Sequence, residues 1–404
     1  MIEFEEAINK ILKHTHCLSS EFVKLNDSLG YVLAENVVAR EPIPRFDSSA
    51  VDGYAVCIED LKNASNKTPV KLPIIGEVKA GDTIIPILRK NYAIKIFTGA
   101  VVPKNTTAVV MQENTKTEKK NVLIFRKPEK GENIRRAGEE FKKDAVVLAK
   151  GELITPAVVG LLASLGYAKI RVFRKPKVAL IVTGNELQLP GRSLRVGKIY
   201  DSNSFGLAAA LESRRIYPIF VRLVRDDKQS IRKAISKAVK LSDVIISVGG
   251  VSVGEYDFVK EVLINLGVKE IYWKVAIKPG KPNFFGVLGN KLVFGLPGNP
   301  VAAMLSFYKL VIPALNKLMG MSNSSILELR AVLTQDIKKK AGRLEFVRGI
   351  LTTDKDDKLF VTPAKGQDSH MLGGLAKANC LIHFPKEETI IPKGSMATVE
   401  LLRW

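Results

Sequence analysis

Three glycine-bearing segments at the ends of apolar runs carry the residues best suited to holding an anion. They are VTGNEL (Val182 to Leu187), SVGGVSVGEYD (Ser247 to Asp257) and GLPGNP (Gly295 to Pro300). A glycine lets a backbone N–H come close to a phosphate or oxyanion, and the first N–H groups of a following helix have no partner within the helix. One such glycine is usually only a turn. Three on one rim of a sheet point to a phosphate or oxyanion site with Gly249, Gly250, Ser252, Gly254, Pro297 and Gly298 as its backbone. The segment WKVAIKPGKP (Trp273 to Pro282) adds Lys274, Lys278 and Lys281 around a Pro-Gly turn, and ammonium groups act as point-charge partners for such oxygens. Three lysines in a loop can also be merely solvated, but here they are flanked by apolar residues and a rigid turn. Glu186, Asp226, Asp227, Glu255 and Asp257 lie beside the same turns, and carboxylates near phosphate suit Mg2+. Acids at a helix start also favour the helix dipole with no ligand present. Neither GxGxxG nor GxxxxGKS occurs at a strand-to-helix turn, which disfavours a dinucleotide or P-loop site.

A second cluster, RFDSSAVDGYAV (Arg45 to Val56), sets Asp47 and Asp52 among small residues between Phe46 and Tyr54. On its own its Asp-Gly pair reads as a turn. His14, His16, His370 and His383 show no zinc spacing.

These residues need elements to hold them. The strand patterns VALIVTG, YPIFVRL, DVIISVGG and KLVFGLPG alternate with helical patterns near 205–214, 228–240, 256–266 and 300–318, which predicts a doubly wound, mostly parallel α/β domain. Ligands bind at the carboxyl ends of strands in such sheets, where the glycine turns lie. Upstream, short β runs between Val70 and Pro128 predict a β-rich domain. Strand patterns after Gly320 predict a small C-terminal β-barrel. The expected domains are residues 1–45 with 140–173, 46–139 inserted, 174–325 and 326–404. The N-terminal segment places Ile2, Phe4, Ala7, Ile8, Ile11 and Leu12 on one helical stripe, and Thr155-Pro156 opens a short helix that closes at Gly166.

At 404 residues with 46% hydrophobic content, the chain can bury more than one core. The net charge of +21 favours an anionic ligand without selecting one. The runs Lys116 to Lys120 and Lys338 to Arg343 read first as solvated loops. Nucleic-acid binding would rest on charge alone, since no aromatic-interleaved basic strand or recognition helix accompanies it. Cys17, Cys57 and Cys380 are scattered, with no CxxC spacing, so neither a disulfide framework nor a thiolate zinc site is indicated. The acidic, helix-patterned N-terminus is unlike a signal peptide and no apolar stretch reads as long enough to cross a bilayer, so a cytoplasmic protein is expected.

Taken together, RFDSSAVDGYAV, IFTGAVVP, IRRAGEE, VTGNEL, DSN, GGVSVGEYD, KVAIKPGKP and GLPGNPVA occur in the order seen in molybdopterin molybdenumtransferases, and the resemblance spans essentially the whole chain. It implies an α/β domain of the molybdopterin-binding type within a four-domain subunit, and a homodimer whose active site lies between protomers. It also implies insertion of molybdate or tungstate into the dithiolene of adenylylated molybdopterin, with release of AMP and Mg2+ assistance. By motif match, Asp52, Glu186, Asp257, Lys274 and Lys278 correspond to catalytic positions. Asp52 and Glu186 are also the candidates for metal placement. Thr98, Glu140, Asp226, Gly249, Gly250, Ser252, Gly254, Lys281, Pro297, Gly298, Arg348 and Ser369 correspond to substrate-binding positions. The sequence departs from the family at Glu140, where aspartate is usual, at Asn185, where TGDEL is common, and at Asp368 and Gly373, where glycine and serine are frequent. A molybdopterin adenylyltransferase is the implied pathway partner. Adenylylation of molybdopterin, or a gephyrin-like scaffold, are the alternatives. The adenylylating relatives resemble only the α/β segment, and no long linker supports a scaffold.

Overall fold

The strands Val178–Thr183 and Val244–Val248 are buried along their whole length, which requires both faces of their sheet to be covered. Alternate residues serve two cores. Leu180, Val182, Ile246 and Val248 pack with Leu207 and Leu211 of the helix Asn203–Glu212 and with the helical run that begins at Pro300. Ala179, Ile181 and Ile245 pack with Ile231 and Ile235 of Lys228–Leu241 and with Val259 and Leu263 of Phe258–Asn265. The computed structural model describes residues 1–250, 258–322 and 327–402.

The sheet runs Phe220–Val224, Val178–Thr183, Val244–Val248, Lys291–Leu296, Phe284–Leu288, Lys269–Trp273. Its first three pairings are parallel and its last two antiparallel. The doubly wound, mostly parallel reading therefore holds, with an antiparallel edge the strand patterns did not announce. Leu288 pairs with Lys291 across a two-residue Gly289-Asn290 turn, a loop length that only an antiparallel hairpin uses.

The C-terminal strands form a closed ring. Leu344–Thr353 pairs with both Leu359–Pro363 and Cys380–Phe384, and Glu328–Leu333 and Met396–Leu401 complete the five-stranded barrel. Closure removes the exposed edges of these short strands, and Val347, Val361, Ile382, Phe384 and Val399 fill the interior. The pair Ile277–Lys278 adds in parallel to Leu344–Glu345 at the barrel's margin.

The chain divides into two compact units, one of Met1–Glu35, Lys150–Gly160 and the residues from Tyr167 on, the other of Asn36–Ala149 with Leu161–Gly166. The second holds a six-stranded sheet in the order Ala108–Met111, Gly53–Val56, Ala93–Ile96, Val70–Val78, Asn121–Ile124, Thr115–Glu118. Tyr54, Val110 and Val122 fill one side of it and Val78, Ile94 and Val109 the other. In the first unit the N-terminal stripe forms the helix Phe4–Lys13, with Ala7 and Ile11 fully buried.

The helical run Pro300–Leu318 is 19 residues long and has a mean hydropathy of 1.3, enough by length and composition to cross a bilayer. The run is not an uninterrupted apolar stretch, since Ser306, Lys309, Asn316 and Lys317 lie within it. The stretch is 83% buried against the sheet and its neighbours, the condition of a core helix. Within it Lys309 is buried to 4% exposure, its Nζ 2.5 Å from a carboxylate oxygen of fully buried Glu400 on the barrel. The ammonium lies 5.4 Å from the Phe4 ring centroid and 4.7 Å from that of Phe346, and His383 Nε2 is 3.0 Å from Glu400. Burial alone would raise the Glu400 carboxyl, but hydrogen bonds and charge from His383 and Lys309 outweigh it and hold the group below its usual value.

Removing one member of a buried ion pair leaves the other uncompensated. Lys309→Met should therefore lower stability by about 3 to 5 kcal/mol, and Lys309→Met with Glu400→Leu should recover most of that loss. A depressed carboxyl contributes stability that is complete above its unfolded value of about 4.3 and is lost as pH falls through the folded value. Urea titrations of both variants and the parent from pH 7 to 3 should show a weaker acid dependence in the double variant.

Candidate functional site

In the unit of Asn36–Ala149, Asp52 lies just before the Gly53–Val56 strand, its carbonyl accepting from Gln112 N–H at 3.0 Å. Its carboxylate oxygen accepts from both the backbone N–H and the hydroxyl of Thr98, at 2.8 and 2.7 Å. These two Thr98 hydrogen bonds hold the carboxyl below its ordinary range, so Asp52 is an anion at neutral pH. The sequence named both residues without showing that they touch. Asp47 serves the local architecture instead. It accepts from Arg136 Nη1 at 2.6 Å and Ala137 N–H at 2.8 Å, tying the RFDSS and IRRAG segments together. Glu140 is exposed in the same stretch, its N–H donating to Ile43 O.

In the other unit the glycine turns converge. Gly249 has φ of +86°, and a Cβ there would stand 2.6 Å from the Thr183 carbonyl oxygen. Only glycine permits that conformation and approach. A Cβ on Gly298 would lie 3.7 Å from the Gly249 Cα, and Asn203 Nδ2 donates to Gly298 O at 2.8 Å. Thr183, Gly249, Gly250, Pro297 and Gly298 therefore share one rim. Ser252, Gly254, Glu255 and Asp257 lie outside the described residues.

Beside this rim stands an acidic pair. Burial raises the Asp226 carboxyl, and Glu186 and Asp227 raise it further. Its Oδ1 is buried without a hydrogen-bond partner among the described residues. Asn185 Oδ1 accepts from the Asp226 N–H at 3.2 Å, and Lys198 Nζ donates to the Asn185 carbonyl. Asp227 instead caps the helix Lys228–Leu241, accepting from Ser230 N–H at 2.8 Å. The described residues contain no group of three potential metal ligands. Two carboxylates, one carrying an unsatisfied oxygen, nevertheless fit Mg2+, which keeps several of its own waters.

The KPGKP turn is built against the helix that follows Pro300. Gly280, with φ of +114°, would place a Cβ 2.7 Å from Ser306 Oγ, and Asn283 Nδ2 donates to that oxygen at 3.0 Å and to the Gly280 carbonyl. Lys278 and Lys281 are exposed on the turn. Lys274 directly follows the edge strand Lys269–Trp273, its ammonium 4.1 Å from the Trp273 ring centroid.

The barrel contributes Arg348 and Ser369. Arg348 is fully buried. One Nη donates to the Gly366 carbonyl and, at 3.3 Å, to that of Asp368, while Nε and the other Nη find no partner among the described residues. Burial lowers its pKa, partly offset by Asp368 and Glu345. Ser369 Oγ accepts from Asn299 Nδ2 at 2.8 Å, and its carbonyl accepts from Val301 N–H at 3.0 Å. The GLPGNP turn and the residue that follows it are thus in direct contact with Ser369. Asn299, Asn203 and Asn185 hold these pieces in place; GLPGNP, DSN and VTGNEL contain them, but only the fold gives their partners.

Residues 2–166 match the MoeA N-terminal region (domain I and II), 179–317 a probable molybdopterin binding domain, and 330–402 the MoeA C-terminal region (domain IV). The chain is 37% identical to the molybdopterin molybdenumtransferase of Haemophilus influenzae over 99% of its length and 98% of that protein. It is 34% identical to that of Bacillus subtilis over all of its length and 94% of that protein. The crystal structure of the molybdopterin biosynthesis MoeA protein of Pyrococcus horikoshii OT3 superposes with a TM-score of 0.84 at 31% identity, covering both chains fully. With the rim, the acidic pair and the barrel arginine in place, these full-length similarities lead to one conclusion: the chain belongs to the molybdopterin molybdenumtransferase family.

Proposed function

We propose that this protein acts in molybdenum cofactor biosynthesis, inserting molybdate or tungstate into the dithiolene of adenylylated molybdopterin with release of AMP. The observation that carries the reading is Arg348, a fully buried guanidinium with two nitrogens unpartnered among the described residues. Burying such a charge is costly, Asp368 and Glu345 offset the burial only in part, and a planar fork of donors suits a tetrahedral oxyanion. The Ser369 hydroxyl and the lysines of the KPGKP turn supply further donors and positive charge.

The N–H groups of Gly250 and Gly298 suit the phosphates of the adenylylated substrate, that of Gly249 being already donated to Leu296 O at 3.1 Å. Glu186 and Asp226 are the groups to hold Mg2+, which when bound would neutralise charge on the phosphoryl oxygens as the pyrophosphate link breaks. Lys278 and Lys281 would steady the incoming oxyanion. Asp52, kept ionised by Thr98, can accept a proton or place a cation but cannot act as an acid at neutral pH. The work is positioning and electrostatic stabilisation rather than covalent catalysis. Adenylylation of molybdopterin is not favoured, because the similarity extends through the upstream and C-terminal regions.

We further propose a homodimer in which the upstream unit of one protomer completes the site of its partner. An exposed apolar groove of about 610 Å3, lined by Leu189, Phe205, Val221 and Leu223 beside the edge strand Phe220–Val224, supports it, as apolar patches of this kind mark association surfaces. Three free cysteines fit a reducing, cytoplasmic setting, and an adenylyltransferase is the natural supplier of the substrate.

Purified protein given adenylylated molybdopterin, Mg2+ and molybdate or tungstate should release AMP only when oxyanion is present. Arg348→Ala, Lys278→Ala and Asp52→Ala should each lower kcat/KM by about 100-fold. Substrate binding without AMP release with either oxyanion would overturn the transferase reading. Asp226→Asn should weaken Mg2+ binding in calorimetry on the substrate-loaded protein. Light scattering should give twice the 44.4 kDa chain mass for the parent, and Phe205→Glu should shift the population toward monomer.

A further inference from the structure

Lys278 does not stand alone on its turn. Its Nζ is 3.0 Å from an Oε of Glu345, a side chain only 10% exposed against 49% for the lysine. The pairing is built by backbone register, since Ile277 and Lys278 run parallel to Leu344 and Glu345. The Leu344 N–H donates to Ala276 O at 3.1 Å and Arg343 Nη1 to Ile277 O at 3.4 Å. The other Glu345 oxygen, Oε2, is buried and has no hydrogen-bond partner among the described residues. Farther along the same strand, Arg348 presents the reciprocal deficit, buried nitrogens with no acceptor. Glu345 and Lys278 also both act on Lys339 of the neighbouring basic run.

A carboxylate held out of water with one oxygen unsatisfied is a poor stabilising device, since an apolar side chain of similar volume would serve a structural role at least as well. It makes sense as a charge placed against a cation whose partner changes. We infer that Glu345 is the resting counter-ion of Lys278, displaced when an oxyanion binds and re-paired when the oxyanion leaves. The inference rests on the reading of Lys278 as part of the oxyanion site. Glu345 is then a positioning residue that acts through the lysine: it competes with the anion and keeps the hold on it loose enough for transfer onward.

The test is equilibrium dialysis of molybdate alone against the full-length protein, Glu345→Gln and Lys278→Ala, followed by steady-state kinetics. Glu345→Gln keeps the side chain's shape and removes its charge, so molybdate should bind roughly tenfold more tightly, the scale of a coupling between two ligands of one group. The KM for molybdate should fall while kcat does not rise. A carboxylate that merely orients Lys278 would give the opposite sign, and unchanged or weaker binding by a folded Glu345→Gln would overturn the proposal. If Glu345→Gln folds poorly, Glu345→Asp, whose shorter arm draws back from the ammonium, should tighten binding in the same direction, and its failure to do so counts equally against the idea. Lys278→Ala separates the two layers: if it binds molybdate as the parent does, the oxyanion-site reading itself fails, whatever Glu345 does.

Discussion

The strands Val178–Thr183 and Val244–Val248 leave no side chain exposed, and the rest of the α/β body follows from that. Because both faces of the sheet are dry, helices must cover both, and polar groups can gather only where the strands end. The Thr183, Gly249 and Gly298 turns meet at one such end. A side chain at Gly249 would meet the Thr183 carbonyl, so the two turns can pass this closely only because one of them carries a glycine. Backbone groups at the strand ends are the form of polarity that two wholly buried central strands leave available.

The barrel has a constraint of its own. Arg348 is fully buried on a strand that also lines the docking edge for Ile277–Lys278, and Ser369 is bonded to Asn299 at the start of the Pro300 helix. Both relations need the barrel fixed against the α/β body. Lys309 and Glu400 fix it from the buried side, with Phe4 and Phe346 around the ammonium. A buried ion pair adds little net stability but penalises any arrangement in which its members part. Here the pair ties the Pro300–Leu318 helical run to the barrel strand that carries Glu400.

How much of this was legible beforehand depended on the range over which each feature is encoded. Period-two and period-3.6 apolar patterns are local, so the parallel strands and helices could be read directly, and so could the glycine turns that end them. The Thr155-Pro156 helix over Pro156–Ser164 and the N-terminal helix follow from the same local signals. The antiparallel edge was missed because Lys269–Trp273 lies across a turn read only for its lysines. The small C-terminal barrel was expected and is present, but the pairings that close it join residues far apart in the chain, such as Arg348 with Leu381, which no short window contains. At the site, Asp52 and Thr98 were named separately and the fold joined them. The partners that set charge were invisible. Glu345 meets Lys278 only through strand register, and Asn185 reaches Asp226 across two loops.

The excess of positive charge is informative only once it is sorted by environment. Lys71 with Glu118, Lys228 with Glu261 and Arg136 with Asp47 are exposed or half-exposed pairs, and such pairs contribute little individually to stability or recognition. By charge alone they would serve an argument for nucleic acid as well as one for an oxyanion. Arg348 differs in kind, because it is fully buried with two guanidinium nitrogens that find no hydrogen-bond partner among the described residues, a feature the net charge could not reveal. Lys278 differs in another way, being exposed yet already matched to a carboxylate. Two nitrogens of Arg348 lack a partner among the described residues, and Lys278 holds one that, on the proposal above, an oxyanion replaces. On that proposal an oxyanion held by Lys278 could still be passed on, which a uniformly basic surface would not provide.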